Sequence, residues 1–161
     1  MKYVKDEVKG LARSFVYAFR GIRFCITNER NMRIHLTVMA LVVYFSAIYR
    51  LERQEWIVLI LTSAMVLVCE MINTAIEALV NLETTSYHNI ARIAKDVAAG
   101  AVFLTAVASV IVGVILFIQP ERLIKCLERI LEYPLLILPF LLLLVLGIWF
   151  IIFGSKLKRK H

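Results

Sequence analysis

The sequence predicts an all-α integral membrane protein: an N-terminal amphipathic surface helix and a three-helix transmembrane core, followed by a C-terminal interfacial helix and a fourth transmembrane helix. Three observations predict it. The 161-residue chain is 61% apolar with a mean hydropathy of +0.80, well above the roughly half-apolar composition of soluble domains. Its 19 Lys and Arg and 12 Asp and Glu gather between long apolar runs instead of spreading as on a globular surface. Four of those runs approach or exceed the length that crosses a bilayer as a helix.

Taken in order, residues 2–24 place Val4, Val8, Leu11, Phe15, Ala18, Phe19 and Ile22 at steps of three and four, with Lys2, Lys5, Lys9, Arg13 and Arg20 largely on other faces. That pattern predicts a basic amphipathic helix lying in the membrane interface. It also lacks the uninterrupted apolar stretch and small-residue site of a cleavable signal, so retention of the N-terminus is expected. A first span is expected over about 33–49, with His35 near its start, and a second over about 56–80, opened by Trp56 at the interface. A short polar segment, 81–96, carries Arg92, Lys95 and Asp96. The third span, about 97–118, is rich in Ala and contains Gly100 and Gly113, small residues that permit close helix packing. From Pro120, Leu123, Ile124, Leu127, Ile130 and Leu131 share one face of a second interfacial helix. A fourth span covers about 134–153 before the basic tail.

Lys and Arg number 8 before the first span, 2 in the second loop and 4 in the tail, against 2 and 3 in the first and third loops. The positive-inside rule therefore favours both termini in the cytoplasm. The net charge of +7 fits contact with anionic lipid, and nucleic-acid binding is not expected. Cys25, Cys69 and Cys126 are odd in number and lack CxxC spacing, which suggests neither a disulfide framework nor a zinc site.

The informative residues are Glu70, Asn73 and Glu77 in the second span. A charged side chain within a span costs about 2.5 to 3.5 kcal/mol on insertion scales, so a partner or a function is needed to offset it. Spacings of three, four and seven bring all three onto one stripe, with Thr74 beside it. Glu70 and Glu77 are separated by about 10 Å along the axis. A polar seam between helices, a proton or cation path, and a reaction centre all remain open from this stripe alone. Outside the span, Glu29 and the Lys95-Asp96 pair are expected on the same membrane face as Glu77. Carboxylates there suit Mg²⁺, which binds through one or two of them together with substrate phosphates. The Walker A sequence and the HRD and DFG signatures are absent, which excludes the nucleotide folds that depend on them.

The run Glu70-Met71-Ile72-Asn73-Thr74-Ala75-Ile76-Glu77, followed by Ala94-Lys95-Asp96-Val97-Ala98-Ala99-Gly100-Ala101, resembles the prokaryotic diacylglycerol kinase family, whose pattern is E-x-x-N-S/T-A-I-E and then A-K-D with small residues. Asn28-Glu29-Arg30-Asn31, with Arg20-Gly21-Ile22 and His35, looks most like its undecaprenol kinase branch. The resemblance covers about residues 10–118. It implies ATP-dependent phosphorylation of a membrane lipid alcohol, undecaprenol first and diacylglycerol as the alternative, by a homotrimer with active sites shared between subunits in the cytoplasmic membrane.

By position the resemblance makes Glu70 the general base and a contact of the lipid hydroxyl, with Asn73 orienting the reacting groups. It implies that Glu29 and Glu77 bind the Mg²⁺ that bridges the ATP phosphates. Tyr17, His88, Lys95 and Asp96 would contact the nucleotide, and Ala99 and Gly100 would leave room for lipid or helix approach. Where one branch of the family has an arginine near position 10, this chain has Gly10. A small proton-coupled transporter using Glu70 and Glu77 is the reading from another class. Residues 1–118 form the expected kinase domain. Residues 119–161 are an extension without an inherited role, expected to pack at the trimer periphery and to be dispensable for activity.

Overall fold

A computed structural model of the chain describes residues 2–83 and 89–157. The described residues form six α-helices: α1 (Lys2–Asn28), α2 (Arg30–Tyr49), α3 (Arg53–Glu83), α4 (Asn89–Phe117), α5 (Pro120–Glu132) and α6 (Ile137–Phe153). Among the described residues there is no strand. Backbone groups in hydrocarbon have no water to bond, so a spanning segment must satisfy them within itself, and apolar helices do so. The segments long and apolar enough to cross are Arg30–Tyr49, Arg53–Leu82, Asn89–Phe117 and Pro134–Lys156.

The joints follow from local chemistry. Between α1 and α2 only Glu29 leaves the helical conformation (φ −97°, ψ 122°), and its side chain makes no capping bond. Its carboxylate is thus left for other partners. Arg50 ends α2 in the left-handed region (φ 59°), a conformation that glycine adopts more cheaply. The reversal is stabilised on the far side, where Glu55 reaches back to accept the Glu52 backbone N–H at 2.7 Å, half of a capping box. Pro120 opens α5 at a position where its missing N–H costs nothing. A 3-10 turn, Pro134–Leu136, leads into α6.

Helices α3 and α4 form the most extensive pairing, α6 packs on α2, and α2 packs on α3. At the α2–α3 turn, Tyr49, Leu51, Leu59, Leu116 and Cys126 form a buried apolar cluster. Phe45, Tyr49 and Phe117 meet there edge to face or tilted, with ring centroids 5.2 to 5.9 Å apart. Arg122 of α5 donates to Glu52 at 2.6 Å and to Glu55 at 2.8 Å, and Arg129 donates to the Ile48 carbonyl at 2.6 Å. Burial lifts the Cys126 thiol above its ordinary range, with nearby Arg129 acting in the opposite sense.

Helix length places the other end. The 20 residues of α2 span about 30 Å, whereas the 31 of α3 span about 46 Å. The two are pinned together at Tyr49 and Arg53, so α3 overshoots α2 at the opposite end. Counting from the turn, Glu70 and Asn73 stand level with the Glu29 joint, and Glu77 and Asn81 stand one to two turns beyond. The polar residues from Asn89 to Asp96 lie on α4, which begins at Asn89 and not near Val97 as hydropathy suggested. The hydropathy falls off near Val97, but the helix itself includes the polar residues ahead of it.

Candidate active site

Glu70 is among the most deeply buried side chains in the molecule, 1% exposed, with Asn73 (8%) and Thr74 beside it. The helical stripe read from the sequence is therefore turned inward. Asn73 donates its amide N–H to Glu77 Oε1 at 3.1 Å, one turn along the same helix. The Thr74 hydroxyl donates to the Glu70 carbonyl at 3.0 Å. Two buried acceptors are left over: Glu70 Oε2 and Asn73 Oδ1 have no hydrogen-bond partner. A buried polar atom without a partner is uncommon in a folded protein and costs about 1 to 3 kcal/mol, so two neighbouring ones point to a group that binds there.

The electrostatics point the same way. Glu29, delivered by the α1–α2 joint, and Glu77, from the overshooting part of α3, both lie near enough for their charges to act on Glu70. Among the described residues the ion pairs are those of Arg122, at the far end of the bundle, so these three carboxylates have no cation. The described residues hold no ready-made cluster of three or more His, Cys, Asp or Glu ligands. The carboxylates can share a cation only if further ligands arrive with it, a requirement that phosphates and water meet for Mg²⁺.

Cys25, buried in the last turns of α1, faces this seam. Burial raises its thiol above the usual range, the Glu29 and Glu70 charges push it the same way, and a side-chain hydrogen bond with Thr74 opposes them. Lys95 is half-buried and donates to Asn81 Oδ1 at 2.7 Å, joining α4 to α3 one turn beyond Glu77. Sequence reading missed Asn81, although it continues the stripe of residues 70, 73 and 77 by another four. It also missed Cys25, for which no periodic signal exists.

The other expected site residues are less gathered. Asp96 and Ala99 are exposed on α4. Tyr17 is 62% exposed on α1, with the Arg20 guanidinium 6.0 Å from its ring centre. His88 lies outside the described residues. Below the seam, an apolar cavity of about 420 Å³ opens between α2, α3 and α4, with Val38, Val42, Leu59, Val66 and Val110 in its walls. Val66 is one helical turn from Glu70.

Four helices able to cross a membrane, with a buried polar seam along α3, define a multi-pass α-helical membrane protein with a candidate site at one end of its bundle. The chain belongs to the prokaryotic diacylglycerol kinase family, whose model matches residues 16–117. Helices α5 and α6 lie beyond the match. A diacylglycerol kinase of Synechocystis is 44% identical over 108 residues, 66% of this chain and 62% of the relative. The undecaprenol kinase of Bacillus subtilis is 37% identical over 114 residues, 71% of this chain and 93% of the relative. A diacylglycerol kinase of Escherichia coli is 29% identical over 100 residues, 62% of this chain and 82% of the relative. No solved structure matches at a significant level.

Proposed function

We propose that the protein transfers the γ-phosphate of ATP to the hydroxyl of a lipid alcohol in the membrane, with undecaprenol as the acceptor and diacylglycerol as the second choice. The observation that carries this reading is the buried Glu70 carboxylate, whose Oε2 has no partner and which lies one helical turn along α3 from Val66 in the wall of the apolar cavity. A lipid alcohol has the matching shape: a hydroxyl to hydrogen-bond Oε2 and a hydrocarbon chain to lie in the cavity. Phosphoryl transfer asks mainly for positioning and charge neutralisation, so a site this small can suffice.

In this mechanism Glu70 accepts the proton of the attacking hydroxyl as the new O–P bond forms and the bond to the ADP oxygen breaks. Asn73, bonded to Glu77 and with a free Oδ1, orients the reacting groups. Glu29 and Glu77 are the residues that would hold Mg²⁺, whose role when bound is to neutralise the phosphates. Lys95, Asp96, Tyr17 and His88 contact the nucleotide. Ala99 gives the lipid room at the surface of α4.

The catalytic unit is residues 1–118, with 119–161 as an extension. It works as a homotrimer with sites shared between subunits, in the cytoplasmic membrane with the carboxylate end facing the cytoplasm. The asymmetric distribution of Lys and Arg supports that orientation. The test is purified protein in lipid vesicles given labelled ATP, Mg²⁺ and either undecaprenol or a diacylglycerol. Labelled undecaprenyl phosphate is the expected product; label in phosphatidic acid alone makes diacylglycerol the acceptor, and no label in any lipid refutes the kinase reading.

A further inference from the structure

Arg33 is a buried cation in an unusual position. It is 4% exposed and has no acidic partner among the described residues. All its hydrogen bonds go to backbone carbonyls. Nη1 donates to Ile26 O at 3.0 Å and Thr27 O at 3.2 Å, and Nε donates to Ile151 O at a longer 3.4 Å. Ile26 and Thr27 belong to the last turn of α1, and Ile151 to the last turn of α6. The final carbonyls of a helix lack partners within it and carry the negative end of its dipole, so a guanidinium between two such ends is well placed.

The arrangement spans the joint that carries Glu29. Arg33 sits in the first turn of α2, while Ile26 and Thr27 lie on the other side of Glu29. Its bonds therefore tie the last turn of α1 to the first turn of α2 across Glu29. Arg33 is in turn held from behind by the C-terminal extension. Helix α6 runs antiparallel to α2, from the Tyr44 hydroxyl on Leu136 O at 2.8 Å to Gly154 against Arg33. Two glycines, seven residues apart, make this approach possible. A Cβ at Gly147 would overlap the Thr37 methyl, and one at Gly154 would come within 2.5 Å of Arg33 Cδ. Thr37 is itself tied to Arg33, its hydroxyl donating to the Arg33 carbonyl at 2.8 Å.

We infer that Arg33 is a positioning residue for Glu29, and that the extension, through Ile151 and Gly154, is the brace that keeps it in place. The inference rests on the reading of Glu29 as a ligand of the Mg·ATP complex. It assigns to α6, which lies beyond the family match, a part in nucleotide binding without direct contact. The extension is then not dispensable padding, as its absence from the family pattern suggested.

The test uses the full chain in lipid vesicles, with Arg33→Lys, which keeps the charge but loses the fork, and Gly154→Ala, which pushes on Arg33 from α6. Loss of a group that holds a metal ligand in place typically costs about tenfold or more in affinity. Each variant is expected to raise the Mg·ATP dissociation constant, measured by calorimetry, and the Mg·ATP KM about tenfold. The KM for lipid and kcat at saturating Mg·ATP stay within about twofold of wild type. The double variant loses no more than the worse single one, because both act through one contact. Leu142→Ala, at an exposed site on α6, has no effect.

Unchanged Mg·ATP binding in both variants overturns the inference, as does a uniform decline in which kcat, both KM values and the thermal midpoint shift together. Glu29→Gln separates the two levels. If it weakens Mg·ATP binding while Gly154→Ala does not, the brace fails and the assignment of Glu29 stands. If Glu29→Gln binds Mg·ATP like wild type, that assignment fails and the inference falls with it.

Discussion

The two ends of this bundle handle polar groups in opposite ways. At the α2–α3 turn, the acidic side chains of Glu52 and Glu55 meet Arg122, Tyr49 donates to Phe117 O at 3.2 Å, and an apolar cluster closes beneath them. At the Glu29 end, the charges of Glu29 and Glu77 act on Glu70 with no cationic partner among the described residues, and two buried acceptors are unpaired. Both ends carry acids next to hydrocarbon. Only one has spent them on its own fold, and the end that has not is where a ligand can gain by binding.

This contrast can be broken experimentally, and the largest effect is expected at Glu70. Glu70→Gln is close in shape but cannot take a proton, so turnover should fall about a hundredfold or more. Direct Mg·ATP binding should survive, and a Gln variant with near wild-type turnover would end the proposal of a base. Glu77→Gln comes next: its Mg·ATP KM should rise by about tenfold or more, and raising the Mg²⁺ concentration should recover part of the rate. Unchanged Mg²⁺ dependence would remove Glu77 from the metal-binding pair.

The closed end should answer with stability instead. Leu116→Ala leaves a gap in the buried cluster and should cost about 2 to 5 kcal/mol, read as a lower unfolding midpoint in detergent with both KM values unchanged. A shift in KM there would mean that the ends are coupled and the comparison is too simple. The smallest effect concerns Cys25. Its raised thiol and burial predict slow alkylation by iodoacetamide at neutral pH, since the thiolate is the reactive form. Mass spectrometry should find Cys25 unmodified in the folded protein and labelled after denaturation. Rapid labelling before denaturation would show that the seam opens to water.

Much of this was legible in the sequence. Four apolar runs gave four helices able to cross, and the period of Glu70, Asn73 and Glu77 put them on one stripe, of which Glu70 and Asn73 are buried, because helical geometry alone dictates both. The start of α4 was misplaced by the same logic: hydropathy reports polarity and not backbone conformation, and the polar residues Asn89 to Asp96 are helical like their apolar successors. Arg33 counted only as a topological charge. Its bonds to Ile26, Thr27 and Ile151 depend on which helix packs against which, information that no local period contains. Likewise Gly147 and Gly154 read as ordinary small residues until α2 lies against them. Cys25 joins the seam through the angle of a joint, which is set by tertiary packing.

The unequal lengths of α2 and α3 have a consequence for the host membrane. Their hairpin is fastened at Arg50, so a thicker or thinner leaflet cannot be accommodated there by sliding. The adjustment falls at the free end, where a few ångströms decide whether Glu70 meets headgroups or acyl chains. Under the proposed reaction, phospholipid chain length would thereby set whether Glu70 and the lipid hydroxyl stand at the same depth.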